Sequence, residues 1–254
     1  MQRTLILMQA GNWQEAAFAL RSARDTASNS ISLSFGLCLL EEPSEEDLAE
    51  MRTFLPLQFI VDTVTPWEAV PLLWQGESHI LLGCPAMFFS RHWDSRLLRI
   101  LRQLPETRVE GAVLTGWLPE PSDPVDAVCP VAADGFDADG LLHFRHGTPL
   151  RYAAAPTVSA FLHTRFCFGP SSFFLLMAES SLPVFLEAYR RQWALWTLHQ
   201  PVIHFRWSNP VPPVLLQSPD DPELTERFGD WYGLNPAERR LSAQARLGVF
   251  SADL

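Results

Sequence analysis

Long apolar runs are missing from this chain. Near the start, "MQRTLILMQAG" offers only the five residues Thr4–Met8 before Gln9, too few for a signal peptide or a membrane-spanning helix. No membrane span is expected. Cysteine is scarce too. Cys38, Cys84, Cys129 and Cys167 are far apart and form no C-x-x-C pair, which argues against a zinc cluster. Cys38 sits in an apolar run and Cys167 between two Phe, the setting of buried free thiols. Together these features read as a cytoplasmic protein with reduced thiols. Positive charge is in short supply, with 19 Lys and Arg against 29 Asp and Glu and a net charge of −10. A surface for nucleic acid needs clustered cations, so no nucleic-acid partner is expected. The usual phosphate and nucleophile fingerprints are also absent: there is no G-x-x-x-x-G-K-[ST], no G-x-G-x-x-G and no G-x-S-x-G.

What remains is a globular composition. Of 254 residues, 47% are hydrophobic and 19% charged, enough to bury a substantial core in one large domain or one domain with an appendage. The first half alternates strand-like and helix-like stretches. "TLILM" is a short apolar run suited to a strand covered on both faces. Asn12 caps the next helix, with Glu15 three residues on in a box-like pattern and Trp13, Ala16, Ala17 and Leu20 on one face. Residues 30–40 alternate at period two and predict a strand. "PSEEDLAEMRTFL" predicts a helix with acids in its first turn. A strand over 57–64 follows. "PWEAVPLLWQGE" predicts a helix kinked or restarted at Pro71. Then "SHILLGCPAMFFSRHWDSRLLRIL" predicts a strand over 79–82 and a helix in which Trp93, Leu97 and Leu101 share a stripe. A fifth strand is expected over 110–118.

After Leu118 the rhythm changes. Residues 119–140, rich in Pro, Asp and Gly, read as a long surface excursion. Within it "DGFDADG" resembles a calcium loop but lacks the downstream Glu, so Asp137 and Asp139 are expected in an ordinary acidic turn. "LLHFRHGTPLRYAAAP" predicts a hairpin with Gly147 and Thr148 at its tip. "TVSAFLHTRFCFGPSSFFLLM" predicts a strand and turn through the core. "SLPVFLEAYRRQWALWTLH" predicts the last clear helix of the domain, with Phe185, Tyr189 and Trp193 at spacing four, and "PVIHFRW" a final strand. A domain over 1–207 and a C-terminal extension over 208–254, ending in a helix capped by Asn235 and packed on the domain, complete the expectation. Strand–helix alternation of this kind predicts an α/β, mostly parallel, Rossmann-like sheet. Its strand C-termini would share the edge where ligands bind: Gln9–Trp13, Asp62–Trp67 and Gly83–Phe88. At the third of these, Gly83, Cys84 and Pro85 offer almost no acid, base or metal chemistry.

Three blocks resemble a known family, the hydroxyproline N-acetylglucosaminyltransferase-like glycosyltransferases and their bacterial relatives. "GCPAMFFSRHWDSRLLRIL" keeps Met87, Phe89, Trp93, Asp94, Leu97 and Leu98 at the family spacing, preceded by "TPWEAVPLLWQGE". "FLHTRFCFGPSSF" and "ESSLPVFLEAYRRQWALWTLHQPVIHFRW" supply the others, and "RRLSAQARLGVFSADL" is similar to the closing helix. The resemblance implies the GT-A fold, a mixed α/β sheet flanked by helices, and a UDP-sugar donor with a protein or glycan acceptor. It also implies losses. The Asp-x-His that holds the family's manganese or magnesium is matched by Gly83 and Pro85, so no metal cofactor is expected. The Arg of the upstream helix is matched by Val70, the Glu-Glu pair by Ser180 and Ser181, and the nucleotide contact after the first strand by Ala10, Gly11 and Asn12.

The remaining candidates for substrate or nucleotide binding are Asn12, Trp13, Cys84, His163, Arg165 and His204, with Glu179 as the one acid beside the former Glu-Glu position and a candidate general base. Arg165 replaces a family Gly. Its guanidinium either substitutes for the metal charge against a diphosphate, helped by Arg190 or Arg191, or fills the vacated pocket beside an acid such as Glu179. Three functions stay open. The chain is a glycosyltransferase-like protein without metal-dependent catalysis, binding or accessory in role; or an active, metal-independent glycosyltransferase built on Arg165; or a protein-interaction module presenting Pro119–Pro130.

Overall fold

A computed structural model describes residues 3–54, 56–104, 111–120, 126–151, 153–207, 211–215 and 222–231. The first half builds as its alternation predicts. Strand β1 (Thr4–Ala10) is apolar on both faces and buried along its length. Helix α1 (Trp13–Thr26) starts at Asn12, whose side chain accepts from the Glu15 N–H, while the Glu15 carboxylate accepts from Gly11 N–H. Strand β2 (Leu33–Leu39) is shorter than the sequence suggests. Ser30–Ser32 form a 3-10 turn instead, and Ile31, counted in the period-two pattern, is 83% exposed. Helix α2 (Glu45–Met51) and helix α3 (Pro66–Leu73) each open with a reciprocal capping box, Ser44 with Asp47 and Thr65 with Glu68. Between them lies β3 (Leu57–Val61). Pro71 is absorbed near the end of α3, which stays one helix; in an eight-residue helix it interrupts little of the hydrogen-bond ladder.

Strand β4 (His79–Gly83) turns into a short β5 (Met87–Phe89), then α4 (Trp93–Gln103). The Trp-Asp pair at the head of α4 is a clamp. Trp93 Nε1 donates to Ala23 O at 2.8 Å, and the buried Asp94 carboxylate accepts from the Ser28 and Asn29 N–H groups at 2.7 and 3.2 Å. His92, at φ 60°, makes the sharp entry and donates its N–H to Thr26 O. One helix start thus locks the end of α1 to α4.

The second half departs from expectation. After β6 (Ala112–Thr115), the excursion contains β7 (Val131–Phe136), which pairs with β8 (Leu141–His146). The hairpin tip is therefore the acidic turn and not Gly147–Thr148. Asp137 accepts from Asp139 and Leu141 N–H and meets His143 Nε2 at 2.8 Å, so its carboxyl is held below the usual range, chiefly by the His143 hydrogen bond. Strand β9 (Thr157–Val158), strand β10 (Cys167–Pro170) and helix α5 (Ser171–Ala178) follow; α5 occupies the stretch read as a strand and turn. Helix α6 is only Val184–Arg190. Gln192 takes φ 59° and ends it, and Trp193 precedes β11 (Ala194–Thr197). Strand β12 (Ile203–Phe205) pairs with β5, and β13 (Val214–Leu215) with β8. Helix α7 (Pro222–Trp231) packs Phe228 on Phe161 and Phe185. The described chain beyond β12 is thus joined to the domain through β13 and α7; the helix expected after Asn235 lies outside the described residues.

Among the described residues the main sheet has eight strands, in the order β3-β2-β1-β4-β10-β6-β11-β9. β3, β2, β1 and β4 run parallel; β10 runs against β4 and β6; β6 and β11 run parallel; β9 runs against β11. Two apolar layers cover it. One gathers Trp13, Phe35, Met87, Trp93, Phe161 and Phe166, the other Leu7, Val70, Leu82, Phe173, Phe174 and Trp193.

All four cysteines are buried, and none is in a disulfide. Burial, with Asp62 nearby, pushes the Cys38 thiol up to about 12, and burial pushes Cys167 up. Two histidines, His79 and His199, are held below their usual value, each first by burial and then by a nearby guanidinium, Arg102 and Arg99 respectively. A depressed folded value means the fold favours the neutral ring, so this stability is present above the unfolded value and is lost as pH falls through the folded one. The midpoint of urea unfolding should decline as pH drops from 7.5 towards 5, and His79→Gln should remove part of that decline. Unchanged midpoints across this range would contradict the assignment.

Candidate functional site

The parallel strands put Ala10–Asn12, Leu40–Glu41, Asp62–Val64 and Gly83–Ala86 on one edge. The register of β10 on β4, Cys167 opposite Leu82, puts the turn that carries Arg165, just before β10, at the edge where β4 ends. β6 and β11 deliver Thr115–Trp117 and Leu198–His199 to the same edge. Asn12, Cys84 and Arg165 thus follow or precede strand ends at one edge of the sheet. Trp13 is buried in the core, His204 lies on β12 and Glu179 at the end of α5.

The end of β4 is closed. Gly83, Cys84, Ala86 and Met87 are buried, and Met87 N–H returns to Cys84 O at 3.1 Å. A Cβ added at Gly83 would meet Met87 Sδ at 3.1 Å and Met8 Cε at 3.7 Å. Both methionines are fully buried. A side chain at position 83 would press on Met87, which must give way to admit it, and Pro85 offers no side-chain ligand. These positions do not fit a divalent cation, which needs oxygen, nitrogen or sulfur ligands on converging side chains. Among the described residues, no group of three or more His, Cys, Asp or Glu is gathered as a metal ion requires.

Arg165 stands at the tip of a braced turn. His163 O accepts from Phe166 N–H at 3.0 Å, and His163 Nδ1 accepts from Arg165 N–H at 3.2 Å. Thr115 Oγ1 accepts from His163 N–H at 2.8 Å and donates to Phe166 O at 3.0 Å, so one hydroxyl ties both arms. The His163 ring is fully buried between Trp117 and Phe205, at centroid distances of 5.2 Å each. It shapes the turn, with its Nδ1 taken. Arg165 itself is exposed, so it does not fill a buried pocket.

The other candidates are committed elsewhere. Asn12 caps α1, and the N-terminus of that helix also faces the Glu15 carboxylate. Trp13 has no exposed surface; its Nε1 donates to Glu50 and its ring meets Phe54 edge-on. No face of the indole is open to a base or sugar. His204, on β12, stacks on Phe88 and reaches Asp126 Oδ1 at 3.1 Å, while its buried Nδ1 has no partner among the described residues. Glu179 is exposed and follows the last residue of α5 as its C-cap. Val70 lies in the apolar layer. Arg190 and Arg191 both bind the Glu187 Oε1, at 2.6 and 2.9 Å. They precede β11 and so sit at the opposite edge of the sheet from Arg165, which removes them as its helpers. Burial raises the Glu187 carboxyl, but the two guanidinium hydrogen bonds outweigh it and leave the group below its usual value.

One residue escaped the sequence reading. Arg206 follows β12, donates its N–H to Ala86 O in the turn after β4, and lays its guanidinium over Phe18 at 3.9 Å and Trp207 at 5.0 Å. Nothing in the local pattern marks it. Only the β5–β12 pairing, two short strands far apart in sequence, brings it to this edge.

No family model and no curated protein matches the sequence. Solved structures do. S. aureus TarS 1–349 matches at 9% identity and a TM-score of 0.53, over 81% of this chain and 60% of that one. The same protein in complex with UDP-GlcNAc gives 10% and 0.54, over 94% and 69%. GalNAc-T7 with UDP, GalNAc and Mn2+ gives 9% and 0.55, over 91% and 49%. The fold is GT-A. At such identities the likeness carries the fold alone, and the chain spans less than two thirds of the TarS 1–349 and GalNAc-T7 chains first compared. Within the GT-A fold, the mixed sheet and its flanking helices are present. No helix among the described residues is long and apolar enough to cross a membrane.

Gly83→Asp tests the closed strand end. The new carboxylate would be buried against Met87 and Met8 without a partner, so unfolding should become easier by about 2–4 kcal/mol. The midpoint should not recover on adding manganese. Wild-type stability, or rescue by the metal, would show that position 83 opens onto a usable cleft.

Proposed function

We propose that this chain is a glycosyltransferase-like protein of the GT-A fold that has lost metal-dependent sugar-nucleotide chemistry, and that it serves a binding or accessory role. The observation that carries this reading is Met87 packed on Gly83, where a metal ligand would have to stand. The first helix supports it. A diphosphate is favoured at an uncovered helix N-terminus, whereas here Asn12 and the Glu15 carboxylate take the N–H groups around that end. The resemblance to the hydroxyproline N-acetylglucosaminyltransferase-like family gives the same direction, since its metal, nucleotide and Glu-Glu positions are matched by residues that cannot do that work. TarS and GalNAc-T7 have been crystallised with UDP or a UDP-sugar; a nucleotide-sugar, with a glycan or protein acceptor, is the ligand class this reading carries over. Four buried thiols favour a reducing, cytoplasmic setting.

A second reading has one observation in its favour. Arg165 is exposed in a turn fixed by Thr115 and His163 at the edge where β4 ends, where a guanidinium would offer a fork to a diphosphate without a metal. Under the first reading a panel of UDP-sugars shows neither hydrolysis nor transfer, with or without manganese. Turnover that survives a chelator and is lost in Arg165→Ala would replace it with the second. Turnover that a chelator abolishes would overturn both.

A further inference from the structure

The chain is poor in cations, yet two of them meet where no carboxylate answers them. Arg96 and Arg99 stand on one flank of α4, a helical turn apart. The loop between β11 and β12 is held against the start of that helix. Ser90 N–H donates to Val202 O at 3.1 Å, and Arg96 Nη2 donates to Pro201 O at 3.2 Å. The same loop carries His199. Both Arg96 and His199 are held below their usual pKa, first by burial and next by the Arg99 guanidinium, which places the three side chains together.

No acid neutralises this group. Among the described residues Arg96 and Arg99 make no ion pair. Asp94, the acid of the same helix, is turned to the Ser28 and Asn29 N–H groups. Arg96 is half-buried with one nitrogen on Pro201 O, and Arg99 is exposed. His199 is half-buried. Its Nδ1 is buried without a partner among the described residues, and Nε2, also unbonded, is the nitrogen left at the surface. A neutral imidazole carries one N–H; on Nε2 it is a third donor beside the two guanidinium groups. Like charges one turn apart on a helix repel, and nothing described around these two offsets it.

We propose that Arg96, Arg99 and His199 bind a phosphate dianion, the group shared by inorganic phosphate and small phosphomonoesters. The donor set selects it. A guanidinium presents a rigid fork of N–H groups that fits oxyanion oxygens in pairs. Side chains one helical turn apart have Cβ atoms about 5–6 Å apart, so two forks can close on one tetrahedral group while the imidazole takes a further oxygen. A carboxylate has a single charge and would leave one fork idle. A phosphomonoester carries a charge of about −2 near neutral pH and three free acceptor oxygens. The cluster uses no residue at the end of β4, so it stands independently of the chemistry there.

Equilibrium dialysis of the full chain against labelled inorganic phosphate, at constant ionic strength in chloride, should show one phosphate per chain with a Kd on the order of 100 µM. Arg99→Gln should weaken it at least about tenfold, and His199→Phe less. Arg145→Gln, which removes an exposed guanidinium on β8, should leave it unchanged. Arg99 is exposed, so the circular dichroism spectrum of Arg99→Gln should match that of the wild type. Competition identifies the source: glucose 1-phosphate that displaces the label better than unlabelled phosphate assigns a phosphomonoester, and one that displaces it no better assigns free phosphate. A wild type that retains no more label than Arg99→Gln overturns the proposal. So does displacement of the label by acetate as readily as by phosphate. Uptake that appears only in Glu106→Gln would assign the cluster to a carboxylate of the chain itself, and overturns it too.

Discussion

Everything at the candidate site follows from Met87 lying on Gly83. Strand β4 is the centre of the sheet, parallel to β1 on one side and antiparallel to β10 on the other. In an open α/β sheet the end of such a strand is where a ligand enters. Here the chain turns at Cys84–Ala86 and brings Met87 back over that end. A Cβ at position 83 would sit 3.1 Å from the buried Met87 Sδ, so a side chain there presses on Met87 and must shift it.

The same turn organises its surroundings. Met87 begins β5, whose pairing with β12 brings Arg206 to Ala86 and seats Phe205 against His163. His163 in turn sets the turn that displays Arg165. Behind it, Phe89 N–H donates to the Ser22 hydroxyl and its ring meets Trp93, and the Trp93–Asp94 clamp fixes α4 to α1. A framework of apolar and backbone interactions is thus intact up to the point where chemistry would begin. The edge offers guanidinium groups to solvent at Arg165 and Arg206, and carboxylates at Glu41 and Asp62.

Much of the framework was legible in the sequence. Continuous apolar runs located β1 and β4, capping residues located α1, α2 and α3, and the stripe through Trp93 and Leu97 located α4. These signals are local, so they survive without knowledge of the fold. The second half was less legible. Phe185, Tyr189 and Trp193 stand at helical spacing, yet the helix stops at Arg190, because Trp193 is needed against Phe173 in the other apolar layer. "VAADGF" reads as loop by composition, and only its pairing with β8 makes it a strand. At the site, the poverty of Gly83–Pro85 was visible, but its cause was not. Met87 stood out only as a match to the family spacing, whereas the cap at Asn12 and the apolar face that buries Trp13 were both read from the sequence and are present in the fold. Arg206 had no sequence signal at all.

The central claim is that the end of β4 is closed to a metal-bound nucleotide. Calorimetric titration of UDP, with and without manganese, addresses it most directly. The account predicts the same weak or absent heat in both titrations. Tight UDP binding that appears only with manganese would contradict it.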